Sequence, residues 1–258
     1  MKITYIHHSS FLVELESVYL LFDYTEGTIP GMKREKPLLV LASHRHGDHY
    51  SPVIFDLIKE HGNVRFVLSN DIWRKRLPEE VRPLTDSLKH GETAKYRLEN
   101  GIIRQLTGTP ENQIEDGVIS DACLTIHTYK STDEGVAFLI EAEGKTIYHA
   151  GDLNNWRWEG EPDNWNDSMA KKYSAQIDKM AGMHLDVAFL PLDPRQEDDF
   201  YLGMDEFLHK VDVKHVFPMH CWGDYSVIGK IRALGCSAGY RDRIEEITGD
   251  GGGFTEED

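Results

Sequence analysis

The chain has little cysteine. Only Cys123, Cys221 and Cys236 occur in 258 residues, an odd and widely spaced set that offers no disulfide framework. A reducing compartment, the cytoplasm, is therefore the expected home. No apolar run approaches the length of a membrane span. The opening residues, Met1 to Ile6, alternate like a strand and lack the apolar core of a secretion signal. Positive charge is also scarce: 28 Lys and Arg stand against 44 Asp and Glu, a net charge of −16. Phosphate backbones are held by basic patches, so neither a long nucleic acid nor a membrane is an expected partner. What remains, 40% hydrophobic and 28% charged residues, is ordinary for a globular protein, and the length allows a sizeable core without staples.

Histidine, by contrast, is plentiful at 13 residues. His44, His46, Asp48 and His49 form the pattern His-x-His-x-Asp-His, which puts four potential metal ligands within six positions. Leu38 to Ala42, just before them, reads as a short buried strand. Ser51 and Pro52, just after, can cap and open a helix running to about His61 and stopping at Gly62, with Val53, Ile54, Leu57 and Ile58 inward. The ligands thus fall on a loop between a strand end and a helix start. A loop can turn neighbouring side chains to one point, which a regular element cannot. Neutral imidazoles with a carboxylate suit zinc, and also iron or manganese.

Strand patterns recur on both sides of this loop. Ile3 to Phe22 reads as a meander, interrupted by the polar knot His7-His8-Ser9-Ser10. Val64 to Leu68 is a further strand, and Asn70 or Asp71 can cap a short helix ended by Pro78. After a polar loop over 107–121 come strands at 122–129, 135–142 and 145–149, the last two joined by a tight Glu143-Gly144 turn. Then strand and helix alternate: a helix around 168–180, a strand at 186–190, a helix at 205–211, a strand at 213–217 and a helix at 226–234. The glycine-rich acidic tail after Ile247 is expected to fray. Strands followed by strand–helix alternation, twice over, suggest two packed sheets with helices outside.

Further ligands are expected at strand ends, where α/β folds place functional loops. His127, Asp152 and His220 are the candidates; each follows a β-rich stretch. With these in order, the chain resembles the metallo-β-lactamase superfamily over about Lys2 to Leu234. The resemblance rests on the His-x-His-x-Asp-His loop, a later lone histidine, the Ala150-Gly151-Asp152 strand end and the final Pro218-Met219-His220. It is most similar to a branch of small stand-alone Zn-dependent hydrolases, related to the ascorbate-phosphate lactonases, that begin with Gly-His-Ser; here His7-His8-Ser9 stands in that place. The resemblance implies a four-layer αββα sandwich, an α/β fold, as a single domain over 1–258 with a Trp-rich insertion at about 154–183. It also implies two divalent metal ions, zinc foremost with manganese or iron compatible. One ion would take His44, His46 and His127; the other Asp48, His49 and His220; Asp152 would bridge. A hydroxide between the metals, oriented by Asp48, would hydrolyse a small ester, lactone or phosphoester.

Substrate residues are harder to read. Trp156, Trp158 and Trp165 crowd the segment after Asp152, and Trp222 follows His220, so they can form an aromatic wall or pack the insertion onto the sandwich. Arg45, Lys130, Arg157 and above all Arg195 can hold an anion. His8 and Asp133 sit where the branch carries polar pocket residues. Cys221, beside a ligand in sequence, is expected to point away. His149 is a candidate to support the ligands from behind. Two other classes stay open: a mononuclear iron oxygenase of the persulfide-dioxygenase kind, and a metal-stabilised binding module without catalysis.

Overall fold

The computed structural model describes residues 1–99, 102–106 and 124–256. The polar loop expected at 107–121, and Cys123, lie outside them.

Two seven-stranded sheets face each other. The first contains β1 (Lys2–His7), β2 (Ser10–Glu14), β3 (Tyr19–Phe22), β4 (Leu38–Ala42), β5 (Val64–Ser69) and β6 (Thr85–Leu88) in chain order. The second holds β7 (Thr93–Glu99), β8 (Ile102–Gln105), β9 (Leu124–Lys130), β10 (Val136–Ala142), β11 (Lys145–His149), β12 (His184–Pro191) and β13 (Asp212–Met219). Its order is β13-β12-β11-β10-β9-β7-β8. Each sheet is antiparallel in one part and parallel in the other, the parallel run being β3 to β6 in the first and β11 to β13 in the second. This is the doubling visible in the sequence.

The apolar pattern explains the layers. β4 is buried along its whole length because both of its faces are covered. Leu39 and Leu41 join Phe11, Phe22, Phe138, Ile140 and Phe189 between the sheets. Leu38 and Val40 pack outward with Ile54, Leu57 and Phe66. Beyond the second sheet, Phe207 of α3 (Leu202–Lys210) stacks on Tyr148 of β11 at 5.1 Å. The result is an αββα sandwich. Among the described residues no helix is long and apolar enough to cross a membrane.

Four local expectations need correction. The stretch after the metal loop is not one helix: Ser51 does cap it, accepting from the Val53 N–H, but a 3-10 turn (Pro52–Asp56) leads into a single-turn α1 (Leu57–Glu60), and Val53 is exposed. Asp71 caps no α-helix; its carboxylate accepts from the Arg45 N–H at 2.9 Å and braces the metal loop. The tail does not fray over its described part. Gly253–Thr255 forms β14, an antiparallel neighbour of β1, and Glu256 pairs with Lys145 of β11 and Lys214 of β13. The helix of the Trp-rich segment, α2 (Asp163–Ile177), begins five residues earlier than read from the sequence, and α4 (Ser226–Ala233) falls where expected.

Candidate metal centre

The centre lies where strand ends of both sheets meet. From the first sheet, the loop after β4 delivers His44, His46, Asp48 and His49, and the turn between β1 and β2 delivers His8. From the second, the loop after β9 delivers Asp133, the turn after β11 delivers Asp152, and the end of β13 delivers His220. These side chains form two adjacent clusters: His8, Asp48, His49 and His220, and His44, His46, Asp133 and Asp152. Within each, one ligating atom per residue lies within 4.8 Å of the others.

Asp152 joins the clusters. Its Oδ1 lies 3.1 Å from His49 Nε2 and 3.5 Å from His220 Nε2, and its Oδ2 lies 3.4 Å from His44 Nε2. Burial opposes the charge of this carboxylate, but the His49, His44 and His220 imidazoles hold it well below the usual range. Asp48 Oδ2 sits 3.5 to 3.8 Å from the Nε2 atoms of His8, His220 and His49. Four buried atoms here, Nε2 of His8, His49 and His220 and Oδ1 of Asp152, have no hydrogen-bond partner among the described residues. Buried polar atoms left unpaired are costly unless something else fills their valence. Their convergence, and the imidazole–carboxylate donor set, fit divalent metal ions.

Two of the clustered histidines are held from behind by carboxylates that the sequence did not mark. Asp23, fully buried after β3, accepts from His49 Nδ1 at 2.7 Å, from Ser43 Oγ at 2.7 Å and from the Ser43 N–H at 2.7 Å. Asp193 does the same for His220, with Oδ2 at 2.9 Å from Nδ1. Burial works against the Asp193 carboxylate, but His220 and Arg195 bring it down to about 2. Each carboxylate fixes the ring so that Nε2 faces the centre. The only sequence signal for either is an acidic residue just after a strand. His149 supports the floor: its ring stacks on Phe22 at 4.9 Å and Nε2 donates to Ser9 O at 2.9 Å.

Backbone geometry is unusual at several of these positions. His8, Asp23, His220 and Trp222 adopt left-handed φ values of 42 to 63° without being glycine. Gly151, at φ +50°, has to be glycine, since a Cβ there would lie 2.6 Å from Ser43 Cβ. Non-glycine residues persist in this region when their surroundings over-determine them, as at functional sites.

Of the proposed ligands, His44, His46, Asp48, His49, Asp152 and His220 come together. His127 does not. It lies inside β9, where Nδ1 bonds to Thr93 Oγ1 at 2.8 Å and the ring packs on Tyr129 at 4.9 Å. The strand runs on to Lys130, and only then does the chain turn towards the centre. Asp133, read from the sequence as a substrate residue, occupies the place instead: Oδ2 is 3.4 Å from His46 Nδ1. Burial and the neighbouring Asp152 push its carboxyl above the ordinary range, a strain that a cation would relieve. His8, also read as a substrate residue, is a member of the other cluster.

Two cavities open beside the centre, and Asp48 lines both. One, of about 320 Å³, is walled by Trp156, Trp158, Trp165, Met169 and Arg195. The other, of about 570 Å³, is bounded by Tyr5, His7, Glu26, Trp222 and Tyr225. Trp156 is buried and donates through Nε1 to Asp152 O at 2.9 Å, so it anchors the turn as well as lining the wall. Arg195 is gripped by Asp193 and lies over the Trp222 ring at 4.3 Å. Arg45 and Arg157 pair with Glu134 and Asp199. Cys221 is buried, its thiol pushed up to about 12 by desolvation, and it lies in neither cluster.

Comparison with known proteins agrees with this geometry. The family model described as the Beta-lactamase superfamily domain matches residues 2–162. A UPF0173 metal-dependent hydrolase of Desulforamulus reducens is 28% identical over 230 residues, covering 85% of this chain and 84% of its own. Another, from Thermus thermophilus, is 25% identical over 259 residues, covering 96% and 94%. Among solved structures, Igni18, a metallo hydrolase of Ignicoccus hospitalis, aligns with a TM-score of 0.59 at 18% identity over 99% of both chains. The metallo-beta-lactamase fold protein YhfI of Bacillus subtilis aligns at 0.56 and 14% identity over 98% of both. With its facing sheets, its His-x-His-x-Asp-His loop and the match over 2–162, the chain belongs to the metallo-β-lactamase superfamily.

Proposed function

We propose that this chain is a metal-dependent hydrolase with a two-metal centre, acting on a small ester, lactone or phosphoester. The observation that carries the reading is the pair of clusters joined through Asp152, with four converging buried atoms that no hydrogen bond among the described residues satisfies. One ion would be held by His44, His46, Asp133 and Asp152, and the other by His8, Asp48, His49 and His220. Divalent ions bound there supply Lewis acidity and make a water ligand acidic enough to ionise near neutral pH.

The chain's own groups do the rest. Burial raises the cost of charge on Asp48, yet the imidazoles of His220, His8 and His49, 3.5 to 3.8 Å away, hold its carboxyl far below the usual range. It stays ionised at neutral pH and, lining both cavities, can accept a hydrogen bond from an attacking water and orient it. The Trp156, Trp158 and Trp165 wall supports an apolar or ring-shaped substrate portion. Arg195, its charge partly neutralised by Asp193, can still orient an anionic group through its half-exposed guanidinium. A net charge of −16 supports small molecules over long nucleic acids as partners.

The test is metal content together with turnover on a lactone, an aryl ester and bis-nitrophenyl phosphate. Near two zinc or manganese ions per chain, with turnover lost on chelation and restored by metal, is the expected result. Asp152→Ala loses metal and activity together, whereas His127→Ala keeps both. Full activity in metal-free protein would sink the reading. A second reading has one observation in its favour: His44, His46 and Asp133 form a two-histidine, one-carboxylate set of the kind that holds non-haem iron in oxygenases. One iron per chain, with oxygen uptake and no hydrolysis, would move the assignment there.

A further inference from the structure

The two halves of the centre are built differently. The His8, Asp48, His49, His220 half offers three imidazole nitrogens and one carboxylate, and its three histidines are each 7% exposed or less. The His44, His46, Asp133, Asp152 half offers two nitrogens and two carboxylates, and the side chains of His46 and Asp133 are 43% and 44% exposed. We propose that the centre is an unequal pair, in which the nitrogen-rich half retains its ion and the oxygen-rich half exchanges its ion and takes a harder one, manganese or iron(II). This rests on the two-metal reading above and goes beyond it, because it assigns different ions and different exchange to the two positions.

Three observations converge on the difference. The first is donor number. Four protein donors without Asp152 close the nitrogen-rich half, as in structural zinc sites; the other half reaches four only by using the shared Asp152. The second is support. His49 and His220 each donate Nδ1 to a buried carboxylate, Asp23 at 2.7 Å and Asp193 at 2.9 Å, which fixes the ring and raises its basicity. The half-exposed His46 has the carboxylates of Asp133 and Glu134 at 3.4 and 3.6 Å and His44 Nε2 at 3.1 Å, each farther than Asp23 is from His49. The third is the position of His8. Its left-handed backbone is locked by the His220 N–H, which donates to His8 O at 3.3 Å. The turn therefore presents the His8 ring against the His220 ring, with centroids 4.3 Å apart and Nε2 unpaired. Imidazole favours zinc, whereas carboxylate oxygen suits manganese and other harder ions. The zinc-over-manganese preference is therefore larger at the nitrogen-rich half.

The experiment titrates metal-free full-length protein with Zn²⁺ and with Mn²⁺ against a chelator of known affinity, counting bound ions by elemental analysis. Wild type should bind in two steps separated by at least about tenfold. Given one equivalent of Zn²⁺ and excess Mn²⁺, it should keep one of each after desalting into manganese-containing buffer. Asn tolerates a left-handed backbone, so His8→Asn is the variant that removes the ligand with least disturbance. It should weaken the tight step by about tenfold or more and leave the weak step in place. Asp133→Asn should abolish the weak step and spare the tight one. Asp133→His, which supplies a third imidazole, should narrow the gap and turn the second step towards zinc. Melting curves of the variants exclude a mere failure to fold. Two equal steps in wild type, or a tight step lost in Asp133→Asn and kept in His8→Asn, overturns the unequal pair alone. No bound ion at all overturns the metal centre itself.

Discussion

At the scale of single residues, the loop that carries half of the clustered side chains was legible, and the buried carboxylates behind it were not. His44, His46, Asp48 and His49 are adjacent in sequence, so their pattern shows without a structure. His127 misled because a histidine near a strand end looks the same from sequence whether the strand stops there or runs three residues on to Lys130. Asp23 was invisible as a support because its partners, Ser43 and His49, are distant in sequence. It nevertheless carries a prediction. Burial opposes its charge, but His149, His49 and Ser43 keep its carboxyl below the usual range. Asp23→Asn keeps the shape and removes the charge that fixes His49. Metal affinity should fall by about 10–100-fold, read by chelator competition. An unchanged affinity would show that Asp23 matters to the fold alone.

At the scale of elements, apolar runs announced β4, β5, β10, β12 and β13, because strands covered on both faces leave little room for polar residues. β14 could not be read that way. It is short and starts with glycine, and its place depends on the β1 edge and on the two lysines that meet Glu256. The turn after β11 shows how tightly one element constrains another. Gly151 passes so close to Ser43 that a methyl group would meet Ser43 Cβ at 2.6 Å and Oγ at 2.8 Å. Ser43 Oγ in turn contacts His44 Nδ1 at 3.0 Å. Gly151→Ala should therefore cost about 1–3 kcal/mol of stability and lower the melting temperature by several degrees. It should also weaken the centre, since both Asp152 and His44 are displaced. A variant with unchanged melting and metal content would show that the turn is free to move.

At the scale of the whole molecule, metal binding and protons compete. Burial disfavours charge on His49 and His220, but Asp152 and Asp23 around the first, and Asp193 and Asp48 around the second, raise both above the ordinary imidazole value. Metal-free protein thus holds protons on these rings to higher pH than a free imidazole does, and an entering ion has to displace them. Affinity should rise with pH, so chelator competition at about pH 6 should give weaker binding than at about pH 8, with protons released into weakly buffered solution. Equal affinity at both would mean that the rings bind from the neutral form.

Neither sheet owns the centre. His8, His44, His46, Asp48 and His49 hang from the first, and Asp133, Asp152 and His220 from the second, so neither cluster is complete until the sheets have docked. An ion held there acts as a clasp between the halves, and its binding free energy adds directly to the cohesion of the sandwich. Loss of metal is then an early sign of the sheets parting, detectable while every strand is still hydrogen-bonded to its neighbours. A fragment that stops short of His220 lacks the last tooth of the clasp, however well its own sheet has formed.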